Sequence, residues 1–321
     1  MVDRSVFFFV FLLPLAATFL LCPLVRRFAL LLHAVDRPDQ VRHCHTAVTP
    51  RLGGLSLLFA AAFTLPFAIF SPWRLLGILL GMTILAIAGM ADDICSLTPK
   101  TKLLLQTTAA LFALFPTVPL PALPVALLYT VGLTNALNLI DGLDGLASGY
   151  GAVTSLCLSL GSALLGNASL SLPFLFLGGG CLGFLPHNLR TKKLFLGDTG
   201  SQLIGYLLAV FTLPLLPSGI APVGLTLLYP ITETATSLLR RLYRHRDPFA
   251  ADRGHFHHRL LDRGMTKGAA VRLLLSLCMF GHTAAIAATV SIPSALLILT
   301  LGLAAVALVL FGAIHLPQSD R

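Results

Sequence analysis

The stretch LLLQTTAALFALFPTVPLPALPVALLYTVGLTNALNLI (103–140) carries no Asp, Glu, Lys or Arg. A helix that crosses a bilayer needs ~20 apolar residues, so this run has room for two. The segment PTVPLPALP (116–124) divides it between them. Three further runs lack charge: 145–189, 199–232 and 273–319. Gly166-Asn167, PLLPSGIAP (214–222) and Val290-Ser291-Ile292-Pro293 divide those in turn. Across the chain 56% of residues are hydrophobic and 11% charged, with a mean hydropathy of +0.87. A soluble domain carries roughly 25% charged residues, so a soluble fold is excluded. Lipid satisfies no backbone N–H or C=O, which leaves helices or a closed barrel, and the alternation of a barrel strand is absent. The expectation is an all-α polytopic membrane protein forming a single domain, 1–321. Its spans fall near 5–25, 52–70, 75–91, 102–118, 122–139, 148–165, 170–187, 200–216, 220–239, 270–289 and 294–315, about eleven in all.

Cytoplasmic loops of membrane proteins carry the excess of Lys and Arg. Of the 22 Lys and Arg, all but Arg4 and Arg74 fall in the loops after odd-numbered spans or at the C-terminus. This places the N-terminus outside and the C-terminus in the cytoplasm. The net charge of +9 is explained by orientation and anionic lipid, and nothing in it asks for nucleic acid. The first apolar segment has one Arg and one Asp before it and no A-x-A-like site, so it reads as a first span rather than a cleaved leader. The six cysteines are scattered without zinc-ligand spacing, so no metal site or disulfide framework is expected from them.

The acids are then informative by position. Asp92 and Asp93 (GMADDICSLTPKTK), Asp141 and Asp144 (NALNLIDGLDGLASGY, 135–150) and Asp198 (LGDTGS, 196–201) all fall at cytoplasmic ends of different spans. Ionisable groups at a membrane boundary usually face a polar cavity, and three converging loops could build one. Asn138 continues the face shared by Asp141 and Asp144, giving an oxygen-rich surface suited to a hard cation. Asp198 precedes a helix start, where free N–H groups suit phosphate; a plain helix cap is the modest alternative. The last loop, HRDPFAADRGHFHHRLLDRG (245–264), sets His255, His257 and His258 beside Arg259, a pattern for capturing a diphosphate. The first loop, DRPDQVRHCHTAVTPRLGG (36–54), adds Arg42, His45 and Arg51 for a lipid-borne phosphate. Carboxylates for a metal, ringed by cations at one membrane face, suit phosphoryl transfer from a soluble nucleotide to a membrane acceptor.

Together DDxxxL (Asp92, Asp93, Leu97), NALNLIDGLDGLASG, LGDTGS and HFHHRL resemble the polyprenyl-phosphate N-acetylhexosamine-1-phosphate transferase family over residues 36–263. Within it the H-x-H-H-R-L of 255–260 is similar to the branch that uses UDP-GlcNAc and undecaprenyl phosphate. The peptidoglycan branch, which transfers phospho-MurNAc-pentapeptide, shows three consecutive histidines. His43 stands where the family usually has Lys, and Gly254 where Asn is common.

The resemblance implies Asp198 as a Mg²⁺ ligand with Asp92, Asp93 or Asp141 nearby, Mn²⁺ being the alternate ion. It implies Asp92 or Asp93 as the base toward the lipid phosphate. Asn138, Asp141 and Asp144 are implied in the metal and nucleotide pocket, Asn188 in nucleotide contact, and His255, His257 and His258 around the diphosphate or sugar. It also suggests a homodimer in a bacterial inner membrane with a cytoplasmic site. Two rivals remain: the same chemistry on UDP-MurNAc-pentapeptide, and an ion-coupled secondary transporter, which would carry charges near span centres in paired inverted repeats.

Overall fold

The computed structural model describes residues 4–36, 49–68, 71–115, 117–189, 193–218, 220–245, 247, 254–289, 291, 293, 294, 298 and 302. Arg42 and His45 lie outside them, as does almost all of the span expected at 294–315. The chain forms α1 (Arg4–Leu31), α2 (Gly54–Thr64), α3 (Pro72–Cys95), α4 (Pro99–Leu114), α5 (Leu123–Ile140), α6 (Leu146–Leu164) and α7 (Ala168–Leu189). It continues with α8 (Gly197–Thr212), α9 (Ile220–Thr226), α10 (Leu228–Tyr243), α11 (Phe256–Asp262) and α12 (Lys267–Ala288). Among the described residues six helices are long and apolar enough to cross a membrane: α1, α3, α5 with the turn before it, α7, α8 with the turn after it, and α12. Large apolar side chains such as Phe63, Trp73, Val125 and Leu128 are exposed on the outside of the bundle, as a lipid-facing surface requires. The protein is a multi-pass, helical membrane protein.

Three expectations change. The chain is not wholly helical. Val35–Asp36 (β1) and Thr49–Pro50 (β2) pair antiparallel, Val35 opposite Pro50 and Asp36 opposite Thr49. The span expected at 220–239 is broken at Leu227 into α9 and α10. Pro230 is the cause. It has no N–H to give to the Thr226 carbonyl four residues back, and that carbonyl instead accepts the hydroxyl of buried Tyr150 at 2.7 Å. The elements over 52–70 and 102–118 are shorter than drawn, α2 and α4.

α8 is the central post. Of its apolar window 83% is buried, against 28% for α1 at the periphery. α2, α3, α5, α6 and α7 all pack on it. Glycine makes the closest approaches: a Cβ at Gly89 of α3 would strike the backbone of Thr199, and one at Gly54 of α2 the backbone of Gly200. Small residues let helices meet in lipid, where no hydrophobic force gathers them. Gly89→Ala is therefore expected to cut the melting temperature sharply, since forced overpacking costs about 1–3 kcal/mol. Gly132→Ala, where a Cβ meets nothing within 4 Å, is expected to leave it unchanged. A thermal melt of both variants in detergent checks the pair.

These contacts place the start of α8 beside the ends of α2, α3 and α5. The segment after β2 completes the join. Phe195 N–H donates to Pro50 C=O at 2.8 Å, Gly53 N–H to Phe195 C=O at 2.9 Å and Gly54 N–H to Leu196 C=O at 3.0 Å. Arg51 and Asp36 are thereby carried to LGDTGS.

Candidate active site

At this junction lies a cavity of about 280 Å³. Asp93 enters it from α3, Asn138 from α5, Asp141 and Asp144 from the turn after α5, and Asp198 from α8. Arg51, Lys267 and His258 line it as well. The acids at separate helix ends therefore do converge.

Each acid is held differently. Asp93 closes the N-terminus of α8 from a neighbouring helix. It accepts the backbone N–H of Asp198 at 3.2 Å, that of Thr199 at 3.5 Å, and the Thr199 hydroxyl at 3.2 Å. The sequence suggested a helix start with N–H groups open to phosphate; the structure gives these two to Asp93. Ser201 turns back into α8: its hydroxyl donates to Gly197 C=O at 3.0 Å and accepts from Asn138 Nδ2 at 3.0 Å. The backbone of Gly197 is left-handed, φ 70°, and any Cβ there would press on the Asp93 carboxylate, so the glycine of LGDTGS is required on both counts.

Asp92 turns away from the cavity wall. It accepts Leu97 N–H at 2.6 Å and meets Lys102 Nζ at 2.5 Å. The same Nζ reaches Asp198 at 2.9 Å. Lys102, at the start of α4, thus bridges two carboxylates. Behind it runs a ladder of carboxamides: Gln106 donates to Gln202 at 3.0 Å, and Asn135 donates to Gln106 at 2.7 Å. Asp144 pairs with Lys193. Arg51 pairs with Asp36 at 2.5 Å.

Asp141 is the exception. Among the described residues no donor reaches its carboxylate. Burial first, then the charges of Asp198, Asp93 and Asp144, hold its pKa well above the ordinary carboxylate value. A cation placed there would relieve it. No three His, Cys, Asp or Glu side chains among the described residues converge tightly enough to hold a metal by themselves. Mg²⁺ does not need three, for it takes one or two carboxylates and completes its octahedron with water and phosphate oxygens.

Three sequence assignments are revised by the geometry. Asn188 lines the cavity, but both ends of its carboxamide are engaged: Oδ1 accepts Gly145 N–H at 2.5 Å and Nδ2 donates to Leu194 C=O at 3.1 Å. It fastens the DGLDG turn to the segment before α8. The histidine motif divides between two surfaces because α11 is a helix. His258 and Leu261 face the cavity, whereas Phe256, Arg259, Leu260 and Arg263 line a separate apolar groove of about 440 Å³ against α10 and α12. Arg259 is therefore not beside the carboxylates. His257 is buried against Gly142 of the DGLDG turn, and burial with its two histidine neighbours lowers its pKa to about 3. It packs against that turn rather than facing the cavity.

The bridging role of Lys102 and the roles of Lys193, Lys267 and Glu233 were not visible in the sequence. Apart from Asp92, which lies ten residues before Lys102, their partners lie between 22 and 96 residues away where bonds are seen, beyond any local spacing rule.

A polytopic helical protein with an acid-lined, cation-flanked cavity where helix ends meet has the outline of a membrane enzyme. The family model described as Glycosyl transferase family 4 matches residues 75–215. A probable undecaprenyl-phosphate N-acetylglucosaminyl 1-phosphate transferase of Bacillus subtilis is 33% identical, covering 82% of this chain and 80% of the relative. An undecaprenyl-phosphate alpha-N-acetylglucosaminyl 1-phosphate transferase of Thermotoga maritima is 30% identical, covering 81% and 83%. A phospho-N-acetylmuramoyl-pentapeptide-transferase of a Synechococcus strain is 37% identical over only 52% of this chain and 56% of its own. The chain belongs to glycosyl transferase family 4 and is an enzyme, a membrane-bound transferase.

Proposed function

We propose that this enzyme transfers N-acetylglucosamine 1-phosphate from UDP-GlcNAc to undecaprenyl phosphate, releasing UMP, at the cytoplasmic face of a bacterial inner membrane. The observation that carries the reading is the gathering of Asp93, Asp141, Asp144 and Asp198 into one cavity with Arg51, Lys267 and His258 around it. The coverage of the relatives supports GlcNAc over the MurNAc-pentapeptide donor, since two matches to the latter class span 52% and 63% of the chain against 82% for the Bacillus subtilis relative. Charge at helix ends, on one side, supports an enzyme over an ion-coupled carrier. In this reading eleven passages put the N-terminus outside and the C-terminus in the cytoplasm: the six long helices, the shorter passes α2, α4, α6 and the α9–α10 pair, and the span expected at 294–315.

An oxygen of the lipid phosphate attacks the β-phosphorus of the donor. The new P–O bond forms as the bond from that phosphorus to the bridging oxygen breaks, and UMP carries the electrons away. Asp93, which lines the cavity where Asp92 does not, takes a proton from the lipid phosphate where that is protonated. Arg51, Lys267 and His258 hold phosphate oxygens. Asp93, Asp141 and Asp198 are suited to Mg²⁺, or Mn²⁺ in its place, which when bound supplies charge neutralisation for the diphosphate. Arg259 and Arg263, on the apolar side of α11, suit a phosphate that arrives with a lipid.

The test is UMP release by purified enzyme. Release is expected from UDP-GlcNAc only when undecaprenyl phosphate is present, to stop with EDTA, and to return with Mg²⁺ or Mn²⁺. Full turnover after chelation removes the metal from the scheme. Faster turnover of UDP-MurNAc-pentapeptide than of UDP-GlcNAc reassigns the donor.

A further inference from the structure

Glu233 of α10 is 1% exposed. A buried carboxylate is costly unless its oxygens are hydrogen-bonded. Here Oε1 lies 2.9 Å from His255 Nδ1, and the backbone N–H of Phe256 reaches both Oε1 and Oε2 at 3.1 Å. An ionised carboxylate only accepts. The Phe256 N–H donates, so both its oxygens act as acceptors, and His255 Nδ1 is the donor. His255 is itself buried and in extended backbone at the position just before α11, φ −62° and ψ 151°. Its ring stacks on His257 with centroids 5.6 Å apart, and His257 in turn sits 4.3 Å from His258, which faces the carboxylate cavity. The same carboxylate therefore holds the ring that starts this stack and the first N–H of the helix that carries the rest of it.

We propose that Glu233 is a positioning residue for the histidine motif: it keeps the His255 proton on Nδ1 and sets the first turn of α11, so that His258 is aimed into the cavity. Carboxylate–histidine pairs fix tautomer and ring orientation in this way in other sites. The inference rests on the cavity being the transfer site. It adds a residue from a helix whose sequence, ITETATSLLRR (231–241), holds no motif for catalysis. It also gives a reason for a lone acid within an otherwise apolar and basic segment.

Glu233→Gln separates positioning from simple packing. Glutamine keeps the shape and one acceptor for Phe256 N–H. With its oxygen on Phe256 N–H at the Oε2 position its NH₂ faces Nδ1, which drives the His255 proton to Nε2; the opposite orientation keeps the proton on Nδ1. Nitrogen-15 NMR of histidine-labelled enzyme, with His255 assigned by comparison with His255→Asn, is expected to show that change of tautomer at an unchanged melting temperature. With it kcat for UMP release is expected to fall about 10–100-fold, the range found when an outer carboxylate partner is lost, and KM for UDP-GlcNAc to move much less. Glu233→Asp, which still only accepts, is expected to recover part of kcat. A moved tautomer with wild-type kcat in Glu233→Gln, or a loss in Glu233→Asp as deep as in Glu233→Gln, overturns the proposal; an unchanged tautomer, which the other amide orientation gives, passes the decision to His255→Asn. If Glu233→Gln does not accumulate, His255→Asn decides, because it keeps a donor for Glu233 and deletes the ring: wild-type kcat there overturns the proposal, and a fall of similar size supports it. A wild-type enzyme that releases no UMP counts against the reading of the cavity, while the tautomer measurement still decides the role of Glu233.

Discussion

Asp93→Asn is expected to lower UMP release about 100-fold or more, because removing one preorganised charged group from a reaction centre commonly costs that much. The structure gives the carboxylate two duties, and the substitution divides them. As a wall of the cavity, Asp93 contributes negative charge beside Asp141 and Asp198. As a cap on α8 it accepts two backbone N–H groups and a hydroxyl. Asparagine keeps one oxygen for the cap, so the stability loss is expected to stay near ~1 kcal/mol, the usual cost of a weakened cap. A small drop in melting temperature with near-complete loss of turnover identifies the charge as the essential part. Wild-type turnover in a folded Asp93→Asn enzyme removes Asp93 from the chemistry and leaves it a cap.

The second large effect is expected at Lys102. Its ammonium lies between Asp92 and Asp198 at 2.5 and 2.9 Å, and all three side chains are mostly sequestered, 26, 13 and 25% exposed. Lys102→Met keeps the apolar stem and removes the charge, leaving two facing carboxylates to repel each other. Losing one partner from a charged, partly buried hydrogen-bond set costs on the order of 1–3 kcal/mol, and turnover is expected to fall about 100-fold as Asp198 leaves its place. Asp92→Asn in the Lys102→Met background relieves the repulsion, so it is expected to restore stability but not turnover. Thermal melts and UMP release on the single and double variants check both halves. Stability that the second change does not restore shows that repulsion is not what destabilises Lys102→Met.

The bundle and the acid-bearing helix ends were legible because lipid imposes a strong rule. A charge-free run such as 103–140 must be helical, and a charge that interrupts it must find water. Asp141 follows that run directly and lines the cavity as expected. What the sequence concealed depends on contacts between distant segments. Nothing near Asp93 says that it will cap a helix beginning at 197. Nothing near Asn188 says that its carboxamide will be consumed by Gly145 and Leu194. The break at Leu227 could have been read from Pro230, three residues on, but Tyr150, whose hydroxyl takes the released carbonyl, is 76 residues away. The histidine motif was legible as a cluster and misleading as a patch. Helical spacing sends His258 and Arg259 to different surfaces, which a string of adjacent letters hides.

That division has a mechanical side. α11 is scarcely two turns long, with a watery chamber against one flank and a greasy trough against the other. A ligand seated under Leu260 and Phe256 and one held by His258 would therefore press on the same two turns from opposite flanks.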